Sequence, residues 1–164
     1  MENQNQLEQT NQNALLIGKP YQTVEAFNSI IAASPKAEWV KVNPFSQNAK
    51  YLPIGVVENL LRLLYPMHQI EHVGDVKILG NSVVVSVTLK VYHPFYNQWL
   101  SYAGIGAVPI ELTSGSNPID FTKINAKAMH KNVPSALSFA VANAAKKIGN
   151  IFGANLNREL YKIN

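Results

Sequence analysis

Between Val83 and Val91 the chain alternates without a break. Val83, Val85, Val87, Leu89 and Val91 fall on one side, and Val84, Ser86, Thr88, Lys90 and Tyr92 on the other. A period of two is the signature of a β-strand with one apolar face. Gly80-Asn81 stands just before it as a two-residue hairpin signal, so residues 73–79 are expected to pair back onto this strand. A turn at His93-Pro94 then leads into a return strand from about Trp99 to Ile110. This pattern predicts an α+β chain, built as an antiparallel three-stranded β-meander whose oily face needs helices to cover it.

Two stretches have the right character for covers. Pro53 suits the first turn of a helix running to about Leu64, with Val57, Leu60, Leu61 and Leu64 on one face and Pro66 closing it. A small-residue helix is expected from about Pro134 to Ile148, with Lys146 and Lys147 in its last turn and Gly149 as its stop. Residues 121–131 would then form a separate turn or short helix. Gly104 and Gly106 lie two apart in the return strand and so share a face. Paired glycines inside a strand mark the close passage of another backbone, and the row Ala136, Ala140, Ala144 is expected to supply it. Nearer the start, Thr23 can cap a short helix that Pro35 ends, residues 39–42 read as extended, and Asn43-Pro44 is a turn signal.

With 164 residues, 47% of them hydrophobic, the chain can bury one core, so a single domain over residues 15–164 is expected. Residues 1–14 are rich in Gln and Asn and read as a disordered polar tail without the basic and apolar regions of a signal peptide. The chain has no cysteine, which excludes a disulfide framework, a thiolate metal site and a cysteine nucleophile. No apolar stretch approaches the ~20 residues of a membrane span, so no membrane partner is expected. Charge is uneven: beyond Phe121 stand Lys123, Lys127, Lys131, Lys146, Lys147, Lys162 and Arg158 against Glu159 alone, while the chain before it is slightly acidic. A basic third on such a domain points to a polyanion, of which nucleic acid is the commonest, although a solvated basic face would look the same.

Most catalytic signatures are missing. GIGAVP lacks the third glycine of a dinucleotide fingerprint, and no phosphate-loop or nucleophile-elbow pattern occurs, so no nucleotide cofactor and no catalysis are expected. His68 and His72 flank Glu71 but follow Pro66, where the helix has ended, and read as surface residues rather than metal ligands. The remaining constellation is Lys41 beside Trp39, followed by Lys50 and Tyr51. Cations interleaved with aromatics are what a single-strand groove needs, ammoniums for phosphates and ring faces for bases. Trp39 itself, isolated in an extended piece, is expected to pack inward.

Taken in order, EWVKV, YLPIGVVENLLRLLYP, the long hairpin with YAGIGA and the basic helix ending AAKKIGNIFG resemble the single-strand annealing core of the Rad-fifty-two family, which includes phage recombinases and DdrA-type proteins. The similarity runs from about Glu38 to Ala154. It implies a β-β-β-α annealing core that assembles side by side into a ring or filament. Single-stranded DNA would lie in a basic outer groove, and complementary strands would anneal without ATP in the cytoplasm of a bacterial or phage-infected cell. Lys41 matches a basic residue of the family's deep DNA groove and Lys131 one of its groove helix. The candidate DNA contacts are Lys41, Lys50, Lys90, Lys123, Lys127, Lys131, Lys146, Lys147 and Arg158. Two departures stand out: Ala142 and Asn143 occupy the place of the family's usual basic pair, and Pro134 interrupts what is often one continuous helix. A monomeric single-strand binder, a structural protein contacting packaged nucleic acid, and an enzyme assembled from distant residues are the alternatives.

Overall fold

The structure is a computed structural model, and it describes residues 21–43, 47–113 and 121–158. The tail expected over residues 1–14, most of the polar loop before Phe121, and Lys162 lie outside the described residues. Among the described residues the protein is α+β, with antiparallel sheets and three α-helices. Its residues divide into two compact units, one of residues 1–68, 91–100 and 149–164, the other of residues 69–90 and 101–148.

In the first unit, α1 (Val24–Ala32) starts where expected, with the Ala26 N–H donating to the Thr23 hydroxyl at 3.1 Å. A two-stranded ribbon follows, β1 (Lys41–Asn43) against β2 (Ala49–Tyr51). Next comes α2 (Ile54–Leu64), with Pro53 as its cap and the expected Val57, Leu60, Leu61 and Leu64 all buried. Each such side chain contributes about 1.5–3 kcal/mol on burial. Phe27 is the centre of the core: its ring meets Tyr21 at 4.7 Å, His93 at 5.2 Å, Tyr65 at 5.5 Å and Phe95 at 5.9 Å. Residues 149–158 close this unit against α1. Gly149 is not the helix stop expected of it, because the helix before it ends at Ala145, and its own φ of 171° is extended. It is glycine because a Cβ there would meet the Ile31 carbonyl oxygen at 2.6 Å.

The second unit holds most of the larger sheet. Strand β5 (Ser82–His93) pairs with β3 (His68–His72), β4 (Lys77–Leu79) and β6 (Gln98–Pro109). The β4–β5 turn is the two-residue Gly80-Asn81 connection, with Leu79 opposite Ser82 and Gly80 at φ 56°. A positive φ at the first central residue is a type II′ requirement that glycine meets without strain. The expected strand over residues 73–79 is therefore broken: β3 begins earlier, and β4 takes only its end. The alternation in β5 is as expected, every second residue from Val83 being buried.

Helix α3 (Ala126–Ala145) corrects the boundary expected at Pro134. The helix begins eight residues earlier, where the Lys127 N–H donates to the Asn125 side chain at 3.1 Å. Pro134 sits inside it on an exposed position, where water can take the carbonyl that proline leaves without a donor. Lys127 and Lys131 thus belong to the same helix as the alanine row, and Lys146 is its C-cap rather than a last-turn residue. The row lands on the glycines as the spacing predicts. A Cβ on Gly104 would overlap the Ala140 carbonyl and stand 2.7 Å from the Ala144 nitrogen, and one on Gly106 would overlap the Ala136 carbonyl. Strand and helix backbones touch because neither glycine has a side chain.

Candidate nucleic-acid interface

The β1–β2 ribbon sorts its basic and aromatic residues by register. Lys41 stands opposite Tyr51 and Val42 opposite Lys50. Cross-strand partners share a face and neighbours along a strand do not. Lys41 and Tyr51 therefore project together, and Lys50 projects with Val42 from the other side. All four are exposed, Tyr51 at 38% and Val42 at 50%. An ammonium beside an open phenol ring can hold a phosphate and meet a base at one place. The sequence puts Lys41 and Lys50 in one candidate set, but the pleat separates them.

Trp39 departs from its expected place. It ends a 3-10 turn of Ala37–Trp39 rather than standing in a strand, and it is half-buried, with the Lys36 ammonium 5.1 Å from its ring centroid. A 3-10 turn has no inward-facing period to bury it, and the cation over its face compensates part of the exposed ring. Lys50 gains a partner from far along the chain. Its backbone N–H donates to Asn157 Oδ1 at 2.8 Å, and Asn157 Nδ2 donates to the Lys50 carbonyl at 2.7 Å. Arg158, exposed, is the next residue, so one candidate cation is brought beside another's backbone across 107 positions.

In the second unit Lys127 and Lys131 are exposed one turn apart on α3, the spacing that places two side chains on one face. Lys123 is exposed just before the helix, with its carbonyl accepting from the Thr113 backbone and hydroxyl at 3.0 and 3.1 Å. Lys147 is exposed, and the half-buried Lys146 donates from Nζ to Asn143 Oδ1 at 3.3 Å. Asn143 donates from Nδ2 to the Ile105 carbonyl at 2.9 Å, so it serves strand β6. Lys90 has its charge matched by Glu71, 2.8 Å from its ammonium.

No family model and no curated protein matches the chain. The chemistry of the site therefore rests on its own residues. Among the described residues no three His, Cys, Asp or Glu side chains gather as a metal site, and no helix is long and apolar enough to cross a membrane. His72 is exposed, and His68 places Nδ1 2.7 Å from the Tyr65 carbonyl. Burial shifts groups in both units: in the first it pushes the Tyr21 hydroxyl up to about 12 and lowers His93 below its usual range, and in the second it raises Tyr102.

Asn157 and His93 escape a reading of local pattern. An asparagine in a polar run carries no period, and its partner is 107 residues away. His93 accepts at Nδ1 from the Phe95 and Tyr96 backbone N–H groups at 3.3 and 3.2 Å and stacks on the Tyr96 ring at 4.0 Å. Its position next to Pro94 marks a turn but not a buried ring.

Proposed function

We propose that this protein binds single-stranded DNA and anneals complementary strands without ATP, acting in recombination or repair as a homo-oligomer. The observation that carries the reading is the register of the ribbon, which stands Lys41 directly opposite Tyr51 on one exposed face. The ammonium holds the backbone by charge, and the ring offers a stacking surface that accepts any base, so binding is strong but blind to sequence. Lys127 and Lys131, paired on an exposed stretch of α3, offer a second basic pair of the same chemistry. Annealing needs only that strands be held with their bases open to a second strand, which asks for no nucleotide and no bond chemistry. The finer architecture belongs to the same proposal. It is the β4–β5–β6 part of the sheet with α3 as its cover, repeated side by side in a ring or filament whose subunits line up their cations along one strand.

A salt titration of single-strand binding tests this. Affinity for a thirty-nucleotide thymidine strand should fall steeply with salt, at about 0.7 of a logarithmic unit per phosphate contact on single strands. Lys41→Ala should weaken binding and flatten the slope by one such contact, with the melting temperature kept. Duplex of equal length should compete poorly, and light scattering should find particles many times the 18.1 kDa chain. A flat salt response or equal affinity for duplex refutes single-strand binding. Binding by a strict monomer refutes annealing by an assembled groove.

A further inference from the structure

The β1–β2 ribbon has three residues in each strand and, among the described residues, pairs with no other strand; two short strands alone are marginal in water. In an antiparallel pair, alternate residues turn their N–H and C=O toward the partner strand, and those between turn both groups outward. Lys50 is an outward position, because both of its backbone groups end on Asn157. It follows that its neighbour Tyr51 turns inward, bonded across to Lys41. The Asn157 amide is planar, with its acceptor and donor side by side, and it meets Lys50 as a third strand would at that position. The amide also has a footing of its own. Asn150 Oδ1 accepts from the Asn155 N–H at 3.2 Å, and Asn150 Nδ2 donates to the Ser34 hydroxyl at 3.2 Å, which ties this segment to the chain just beyond α1.

We propose that Asn157 is a positioning residue for nucleic-acid binding: by clamping the Lys50 backbone it holds β2 in the register that keeps the Tyr51 ring opposite Lys41. The inference rests on the single-strand reading above and adds a residue that touches no nucleotide. A tie that only held the fold together would lower the melting temperature and leave binding by the folded protein alone. A positioning clamp makes binding depend on Asn157 only while Tyr51 has a ring to aim.

The test is a double-mutant cycle on the full chain, read by binding of the thymidine strand, with melting temperature and amide exchange at Lys50 alongside. Asn157→Ala should weaken binding roughly fivefold, about what one net hydrogen bond of ordering is worth. In the Tyr51→Ala background the same change should cost much less, since contacting or coupled residues are not additive. Asn157→Asp keeps the acceptor for the Lys50 N–H and loses the donor, so the Lys50 amide should stay protected. If the parent binds and Asn157→Ala binds equally well, or if the losses simply add with Tyr51→Ala, the positioning role is overturned and the functional reading survives. A parent that binds no single strand overturns the functional reading and this inference with it. Rapid exchange of the parent's Lys50 amide overturns the clamp itself.

Discussion

Replacing Gly104 by alanine adds one methyl group where the structure has no space. Its carbon would overlap the Ala140 carbonyl and lie 2.7 Å from the Ala144 nitrogen and 2.8 Å from the Ala144 Cβ. Carbon contacts are comfortable near 3.5–4.0 Å, so α3 would have to retreat by about 1 Å. Two of the three obstacles are helix backbone, which no rotamer change can move. Overpacking a core costs about 1–3 kcal/mol, and the better strand propensity of alanine returns about 0.5–1 kcal/mol, so a net loss of about 1 kcal/mol is expected. For a chain of this size that lowers the melting temperature by about 2–4 °C in a calorimetric or circular-dichroism scan. Adding Ala144→Gly should rescue little, because it removes the Cβ and leaves both backbone obstacles. Gly55→Ala is the control: nothing lies within 4 Å of a Cβ there, and α2 should gain about 0.5–1 kcal/mol. If Gly104→Ala melts within 1 °C of the parent (about 0.3 kcal/mol by the same scaling), α3 does not lie against this strand.

Pro134→Ala should raise stability by about 1–3 kcal/mol, seen as a higher denaturation midpoint, since it restores a helix donor at a position that strains nothing else. His93 is held below its ordinary value of 6.5 by burial, so as pH falls below 6.5 the unfolded chain takes the proton first. Stability should therefore decline with acid, and His93→Gln should flatten that part of the profile. Tyr21 has the opposite edge: its hydroxyl, donating to the Leu64 carbonyl at 2.9 Å, ionises near 12 rather than 10.0. Stability should be lost as pH rises above 10, and Tyr21→Phe should remove that loss in an alkaline melting series.

What could be read from residue order was whatever repeats at short range. The valine alternation of β5, the four-residue face of α2, the Thr23 cap and the Gly104/Gly106 seat for the alanine row all follow from spacing, and each sits as expected. What escaped depends on partners out of sequence reach. Pro134 looked like a helix start because an interior proline costs a hydrogen bond, yet the better cap at Asn125 outweighed it. Gly149 looked like a stop, and its reason was Ile31, far back in the chain. At the candidate site the residue types were legible. The face each one takes was not, because it hangs on a register that a short ribbon does not declare.

The first unit is stitched from three separated stretches, and its ribbon is tied by a residue 107 positions beyond Lys50. On a ribosome this order has a consequence in time. At ordinary synthesis rates roughly 5–20 s pass between the making of Lys50 and of Asn157. During that interval β1 and β2 have no clamp, and α1 lacks the residues that later close against it. The second unit, made of residues 69–90 and 101–148, is complete earlier and can fold while the first waits. The ribbon is then clamped only after the second unit is complete.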